Sequence, residues 1–328
     1  MRSTCSLYVD VGYLLAAAAT RATGTSLRAG IHVNYDRLIA GLVEQAQDHS
    51  DLPVLRVHWY DSARNGVPDV VQERIGELPK VKLRLGRFGV DGQQKGVDLR
   101  IGLDLVAHAR NDASDVFFLV SGDDDLTEAV EEAQVHGVQV VVLAVPSSDG
   151  RPHGVSRHLL RAADELDQID GARIDEAVVK VEVPRQADVA PTAPTPTPMS
   201  VPSPAALASR TIPKPAPPRR EQVPPPAVAL AYSGSTGQQG HVMPGFDAEQ
   251  QEGDEEVVTD VVRRILAAFR KSASPQDLQN LQRARPSIPP EIDKALLTDA
   301  SDAIGVYDLS VGLRYRLRSR FWEVWDEA

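Results

Sequence analysis

The sequence predicts an α/β fold built on a mainly parallel sheet, with a small helical region after it. Three observations predict it. Over residues 5–183, strand-like and helix-like segments alternate, the pattern of repeated βαβ units. Residues 116–120, VFFLV, form a continuous β-prone apolar run, as expected of a strand covered on both faces. That run stops in Ser121-Gly122-Asp123-Asp124-Asp125, so three acids gather where open α/β sheets place their ligand crevices.

The elements follow in order. Residues 6–10 read as a first short strand and 14–21 as the helix after it. Asn34 is a good N-cap for the amphipathic run 37–47. Segments 54–60 and 81–85 alternate as strands, with a helix between them at about 69–78. Residues 95–110 read as a helix, with Val97, Ile101, Leu105 and Ala109 at a spacing of four. The acidic strand 116–120, a helix over 126–136 and a strand over 138–145 come next. A last helix at 155–163 and a short strand at about 166–169 complete the alternation.

The chain of 328 residues has room for two domains, and the divisions read as 1–183, 184–251 and 252–328. The middle segment is proline-rich (PTAPTPTP, PAPPRR, PPPA) with few large apolar residues. Such a composition predicts a disordered linker, partly polyproline II, whose alternative use is docking to aromatic grooves. The last segment predicts a small helical domain. Val258, Val261, Val262, Ile265, Leu266 and Phe269 form one apolar stripe, and Ser274-Pro275 and Pro289-Pro290 mark helix starts. The final helix places Leu313, Leu317, Phe321 and Val324 inward, with Arg314, Arg316, Arg318 and Arg320 mainly on its other faces.

Composition excludes several classes. No apolar run approaches the roughly 20 residues that span a bilayer, and Asp10 interrupts the place of a secretory apolar core. A lone cysteine, Cys5, rules out an internal disulfide and fits a reducing cytoplasm, and the scattered histidines offer no zinc set. A formal net charge of −11 argues against non-specific coating of nucleic acid. Lys80, Lys82, Arg84, Arg87 and Lys95 nevertheless make a locally basic stretch beside the acids. There is no Gly-x-Ser-x-Gly elbow, no P-loop and no Gly-x-Gly-x-x-Gly after the first strand.

Crowded carboxylates repel one another unless a cation neutralises them, and a hard divalent ion such as Mg²⁺ or Mn²⁺ suits oxygen ligands. Asp10 ends the first strand as Asp123 follows a later one, so neighbouring strands would bring both to one crevice. Asp98 falls in the first turn of the helix leading into the acidic strand. Asp104 lies on a different face of that helix and reads as an outer acid or a salt-bridge partner. The plainer reading of the acidic turn is that Asp123 or Asp125 caps the next helix. Asp10, Asp98, Asp123 and Asp125 together suit metal-assisted phosphodiester hydrolysis. A metal–nucleotide-sugar site would use only the Asp-x-Asp element and leave Asp10 and Asp98 without a role.

The motifs Asp10-Val11-Gly12-Tyr13, Lys95-Gly96-Val97-Asp98, Asp104 and Ser121-Gly122-Asp123-Asp124-Asp125-Leu126 resemble the NYN domain, a branch of the PIN-like ribonucleases. Residues 156–164, SRHLLRAAD, resemble that family's last helix, and the likeness spans about residues 5–170 in the same order. The resemblance implies a PIN-like three-layer α/β/α sandwich, a divalent cation and cleavage of RNA. Carried onto this chain, the metal and catalytic set becomes Asp10, Asp98, Asp123 and Asp125. Where many family members have Asn three residues after the first Asp, this chain has Tyr13.

The expected activity is therefore a Mg²⁺- or Mn²⁺-dependent endoribonuclease acting on RNA, single-stranded by preference, in the cytoplasm. Its substrate contacts are Lys95, Arg84, Arg87, Tyr13 and Ser121, beside the glycine-rich loop 86–94. His58-Trp59-Tyr60 offers either base stacking or core packing, and packing is the commoner use of strand-borne aromatics. The alternative function is a catalytically weak or inactive RNA-binding scaffold that recruits a protein partner through the linker or the C-terminal helices. Self-association is compatible with either, and membrane attachment with neither.

Overall fold

Apolar strands tipped by polar residues set the architecture of the computed structural model, which describes residues 3–88, 94–181, 247–306 and 309–327. The first strand, β1 (Cys5–Asp10), is buried throughout and runs straight into helix α1 (Val11–Thr23). A short strand β2 (Ile31–Val33) precedes α2 (Tyr35–Ser50), whose N-cap Asn34 accepts from the Arg37 amide at 3.1 Å. Then come β3 (Val54–Ala63), α3 (Val70–Gly76), β4 (Val81–Phe88) and the two-residue β5 (Gln94–Lys95). Helix α4 (Val97–Arg110) leads to β6 (Val116–Val120), α5 (Thr127–Val135) and β7 (Gln139–Ala144). Helix α6 (Arg157–Ala162), β8 (Glu165–Gln168), α7 (Gly171–Ala177) and β9 (Val178–Lys180) close the N-terminal part.

Six strands form a parallel sheet in the order β4-β3-β1-β6-β7-β8, and β5 adds an antiparallel edge beside β4. The order reverses between β1 and β6, so the switch point falls between the strands that lead into Asp10 and Asp123. Side chains alternate to two cores. Leu7, Val9, Trp59, Phe118 and Val120 pack against α1 and α2. Tyr8, Tyr60, Phe117, Leu119, Val140 and Val142 pack against α4 and α5. The result is an α/β fold with a mainly parallel sheet, as the alternation of elements predicts, in the three-layer α/β/α sandwich that the family resemblance implies.

Three differences from the sequence reading have physical causes. The helix expected from residue 95 begins at Val97, because Lys95 pairs with Arg87 in the β4–β5 ladder and Gly96 turns the chain at φ +81°. β2 and β9 pair antiparallel, a three-residue contact between segments far apart in sequence. Helix α7 between them carries no long amphipathic pattern, and its N-cap is Asp170, which accepts from the Ala172 amide.

The C-terminal region is helical, as expected: α8 (Asp247–Ser272), α9 (Pro275–Ala284), α10 (Pro290–Ile304) and α11 (Val311–Glu327). Helix α8 starts inside the segment expected to be linker. The rest of that segment, the proline-rich residues 184–246, lies outside the described residues. Ser274 caps α9 through a capping box with Asp277, and Pro275 takes its first position. The apolar stripe of α8 packs on Leu296, Leu317 and Phe321, and Leu27 from the N-terminal part is buried in the same core. Of the tryptophans, Trp59 is fully buried in the sheet, whereas Trp322 and Trp325 belong to the helical core. The Arg318 guanidinium makes a two-pronged ion pair with Asp293. No described helix is long and apolar enough to cross a membrane.

Candidate active site

Two parallel neighbours deliver the acids. β1 and β6 pair in register up to Val9 opposite Val120, so Asp10 and the turn after Val120 emerge at the same sheet edge. Asp10 caps α1 by accepting from the Tyr13 amide at 3.2 Å and is only 9% exposed. Burial and, after it, the Asp98 carboxylate push its pKa up to about 6, against the Tyr13 amide, Lys294 and Arg28, which pull it down. Asp98, half-buried in the first turn of α4, is raised by burial first and then by Asp123, with Asp125 adding to the same effect. Asp10, Asp98 and the 123–125 turn are thus one electrostatic group.

The turn itself is built by its own side chains. Ser121 Oγ, fully buried, accepts from the Asp123 amide at 3.2 Å. Asp123 Oδ1 accepts from the Asp125 amide at 3.0 Å, capping the 3₁₀ turn that precedes α5. The capping role thus uses one carboxylate oxygen of Asp123. Asp125 is exposed. Asp124, between them, is pulled away from the crevice: it accepts from Ser156 Oγ at 2.6 Å and faces His158 Nδ1 at 3.1 Å. Gly122 has to be glycine, since a Cβ there would meet the Gly154 carbonyl and stand 2.9 Å from Tyr13 Cε2.

The remaining sequence-derived residues are placed as follows. The Tyr13 hydroxyl donates to the His153 carbonyl at 2.7 Å and accepts from the Val145 amide at 3.2 Å, tying α1 to the end of β7. Arg84 is bound to Asp104 by two hydrogen bonds of 2.8 and 2.6 Å, and Tyr60 donates to the same carboxylate at 2.9 Å. Asp104 is therefore a salt-bridge partner, turned from the crevice. Arg87 and Lys95 pair across β4 and β5, and loop residues 89–93 lie outside the described residues. Trp59 and Tyr60 are core residues, fully buried. Beside them, burial and then His108 lower the pKa of His58 to about 3.

Sequence reasoning missed two cations. Arg28 Nη2 donates to the Gly12 carbonyl at 2.9 Å, two residues beyond Asp10. Lys294 on α10 interacts electrostatically with both Asp10 and Asp98. No local motif marks either residue, because their proximity comes from tertiary packing.

The donor chemistry fits a hard divalent cation, since the crowded groups are carboxylates held partly out of water. Among the described residues no three acidic, imidazole or thiol side chains close into a ready cage. Mg²⁺ does not require one, because it keeps several waters and is bound through one or two carboxylates plus substrate phosphates.

The family model of the NYN domain matches residues 5–170. The chain is also 37% identical over 98 residues to the uncharacterized protein y4oD of Sinorhizobium fredii, a stretch covering 30% of this chain and 46% of that protein. The chain thus spans about half the length of the curated relative it matches.

Proposed function

Because this chain belongs to the NYN domain family of the PIN-like superfamily, we propose that it is a divalent-metal-dependent endoribonuclease acting on single-stranded RNA. One observation carries the reading: the switch-point strands β1 and β6 bring Asp10 to the 123–125 turn, with Asp98 electrostatically joined to both. Asp10, Asp98, Asp123 and Asp125 are the residues that would hold the cation. When bound, Mg²⁺ or Mn²⁺ supplies neutralisation of these acids and Lewis-acid stabilisation of the charge gathering on the phosphate.

The protein's own groups orient that chemistry. Burial of Asp10 fixes its carboxylate by the Tyr13 amide, and the Ser121 and Asp125 contacts fix Asp123, so neither acid reorganises when substrate arrives. Asp125 is exposed to solvent. Water is the nucleophile, and the single cysteine, buried in β1, suits an enzyme of the cytoplasm.

The test is cleavage of a labelled single-stranded RNA with Mn²⁺, with Mg²⁺ and with EDTA, run beside Asp123→Asn. Metal-dependent cutting that disappears in the variant supports the reading, and equal activity in both proteins sinks it. A second reading, an RNA-binding scaffold without turnover, is favoured by one observation. Tyr13 stands where many relatives carry Asn, and its hydroxyl is spent on His153 and Val145. Salt-sensitive RNA binding by a protein that cuts nothing under any metal would select it.

A further inference from the structure

A hollow of about 920 Å³ opens from the acidic crevice and follows α4 where it meets α5. Asp98 and Asp125 stand in its wall at one end, and Arg110 and Asn111 close the other. The helix rises about 18 Å from Asp98 to Arg110, so the hollow is an elongated groove. Its far end is held by the ion pair of Arg110 with Glu132 at 2.8 Å.

One side of the groove is apolar and open to water. Leu99, Leu103 and Val106 follow one another at helical spacing on α4, and the two leucines are 67% and 62% exposed. Gly102 lets α5 come close beneath them, since a Cβ there would stand 3.3 Å from the Ala129 Cβ. The floor between the helices therefore carries no long side chain. Glu128 of α5 lines the groove beside Asp125. A single exposed leucine is ordinary, but two on one stripe that begins beside the site's carboxylates mark a binding surface.

Charge and continuity select the occupant. A phosphate is retained only at the acid end, where a cation offsets Asp98 and Asp125. Further along, Glu128 repels an anion and the leucines desolvate it. A nucleobase is uncharged and apolar on its faces, with N–H groups at its edge from which carboxylates accept. It is also joined through one sugar to the phosphate at the acids, so it lies within reach of the groove.

We propose that the α4–α5 groove is a nucleobase subsite, in which Leu99 and Leu103 cover the base of a nucleotide adjoining the phosphate at Asp98 and Asp125. This inference rests on the reading of the crevice as an RNA site. It adds the contact that holds a strand whose backbone meets mostly acids there. An aliphatic surface accepts the face of any base, so the subsite positions the strand without reading its sequence.

The test uses the full chain as wild type, as the double variant Leu99→Ser with Leu103→Ser, and as Val135→Ser. Val135 is an exposed apolar residue of α5 outside the groove. Anisotropy with Ca²⁺ measures binding of a labelled RNA tetranucleotide, and of tetranucleotides made abasic at each position in turn. Cleavage of the same strands is followed with Mn²⁺, and thermal unfolding checks that each variant folds. In wild type, an abasic nucleotide at one position is expected to weaken binding about tenfold. The double variant is expected to lose that same tenfold with the intact strand and nothing further with the abasic one. Val135→Ser should bind as wild type does. Wild-type affinity in the double variant overturns the proposal, and so do losses that simply add, since leucines and base would then act apart. A wild-type dimer that the double variant breaks, read by sedimentation, also overturns it, because the face would then join two copies. Wild-type protein that binds RNA without cutting it fails the nuclease reading alone, because the binding cycle still decides the groove. Wild-type protein that neither binds nor cuts RNA overturns both.

Discussion

Two aspartates on one helix have opposite lives. Asp104 is 14% exposed and meets Arg84 through two hydrogen bonds and Tyr60 through a third. Asp98, less than two turns earlier on α4, meets mainly other acids, and its pKa is raised by burial and then by Asp123. The helix places both; the partners make one a salt-bridge carboxylate and leave the other crowded by acids. A carboxylate given its own guanidinium stabilises a fold, whereas carboxylates crowded at a sheet edge create a demand for an external cation.

Exchanging the two acids for amides breaks the comparison most sharply. Asp98→Asn is expected to remove most RNA cleavage with little loss of stability, because a carboxylate that would hold the cation is lost. Asp104→Asn is expected to keep cleavage and to lose about 2 kcal/mol in urea unfolding. That is below the loss for a fully buried pair, because Arg84 is 38% exposed and water screens it. Initial rates and unfolding midpoints of both variants decide it, and a fully active Asp98→Asn would erase the contrast.

Gly122→Ala tests whether the acidic turn is positioned by backbone packing on Gly154. Overpacking there is expected to cost about 3 kcal/mol and to carry cleavage down with it, because Asp123 follows directly. A stable, active variant would show that the turn yields.

The crowding itself has a pH signature. Asp10 is raised from 3.8 to about 6, so the native state holds its proton more tightly than the unfolded chain does. Its contribution is fully present below the unfolded value, declines as pH rises from about 4 to about 6, and stays lost above that. Asp10→Asn removes the decline and keeps a competent helix cap. In EDTA the variant should therefore be more stable than wild type by about 3 kcal/mol at pH 7.5 and no more stable below pH 4. Thermal melts across that range read it directly, and a gap independent of pH refutes the assignment.

The smallest expected effect lies in the core beneath α4. Tyr8 and His108 Nδ1 are joined at 2.9 Å, so Tyr8→Phe should cost about 1 kcal/mol and leave cleavage untouched. Loss of cleavage in that variant would join the buried network to the crevice.

How much of this was legible follows from distance along the chain. The β1 and β6 strands and their acids could be read because apolar runs and terminal aspartates are local signals. The start of α4 could not, because the β4–β5 ladder claims Lys95 against its helical pattern. Arg84 read as a substrate grip, and only the folded chain shows it committed to Asp104, twenty residues away. Lys294 was invisible for the same reason on a larger scale, since the bond that docks α10 joins Ser26 to Asp299.

The tryptophans give the molecule a built-in optical division. Trp59 lies in the sheet core with no hydrogen-bond partner for its indole nitrogen among the described residues, whereas Trp322 donates to the Pro286 carbonyl at 2.9 Å and Trp325 lies under Arg270. Emission from Trp59 alone, after the other two become phenylalanine, reports the sheet core; the converse variant reports the helices. Coincident melting curves would mean that the part bearing Lys294 and the part bearing Asp10 exist only together. Separate curves would make the contact between them a joint that can open, with light as its gauge.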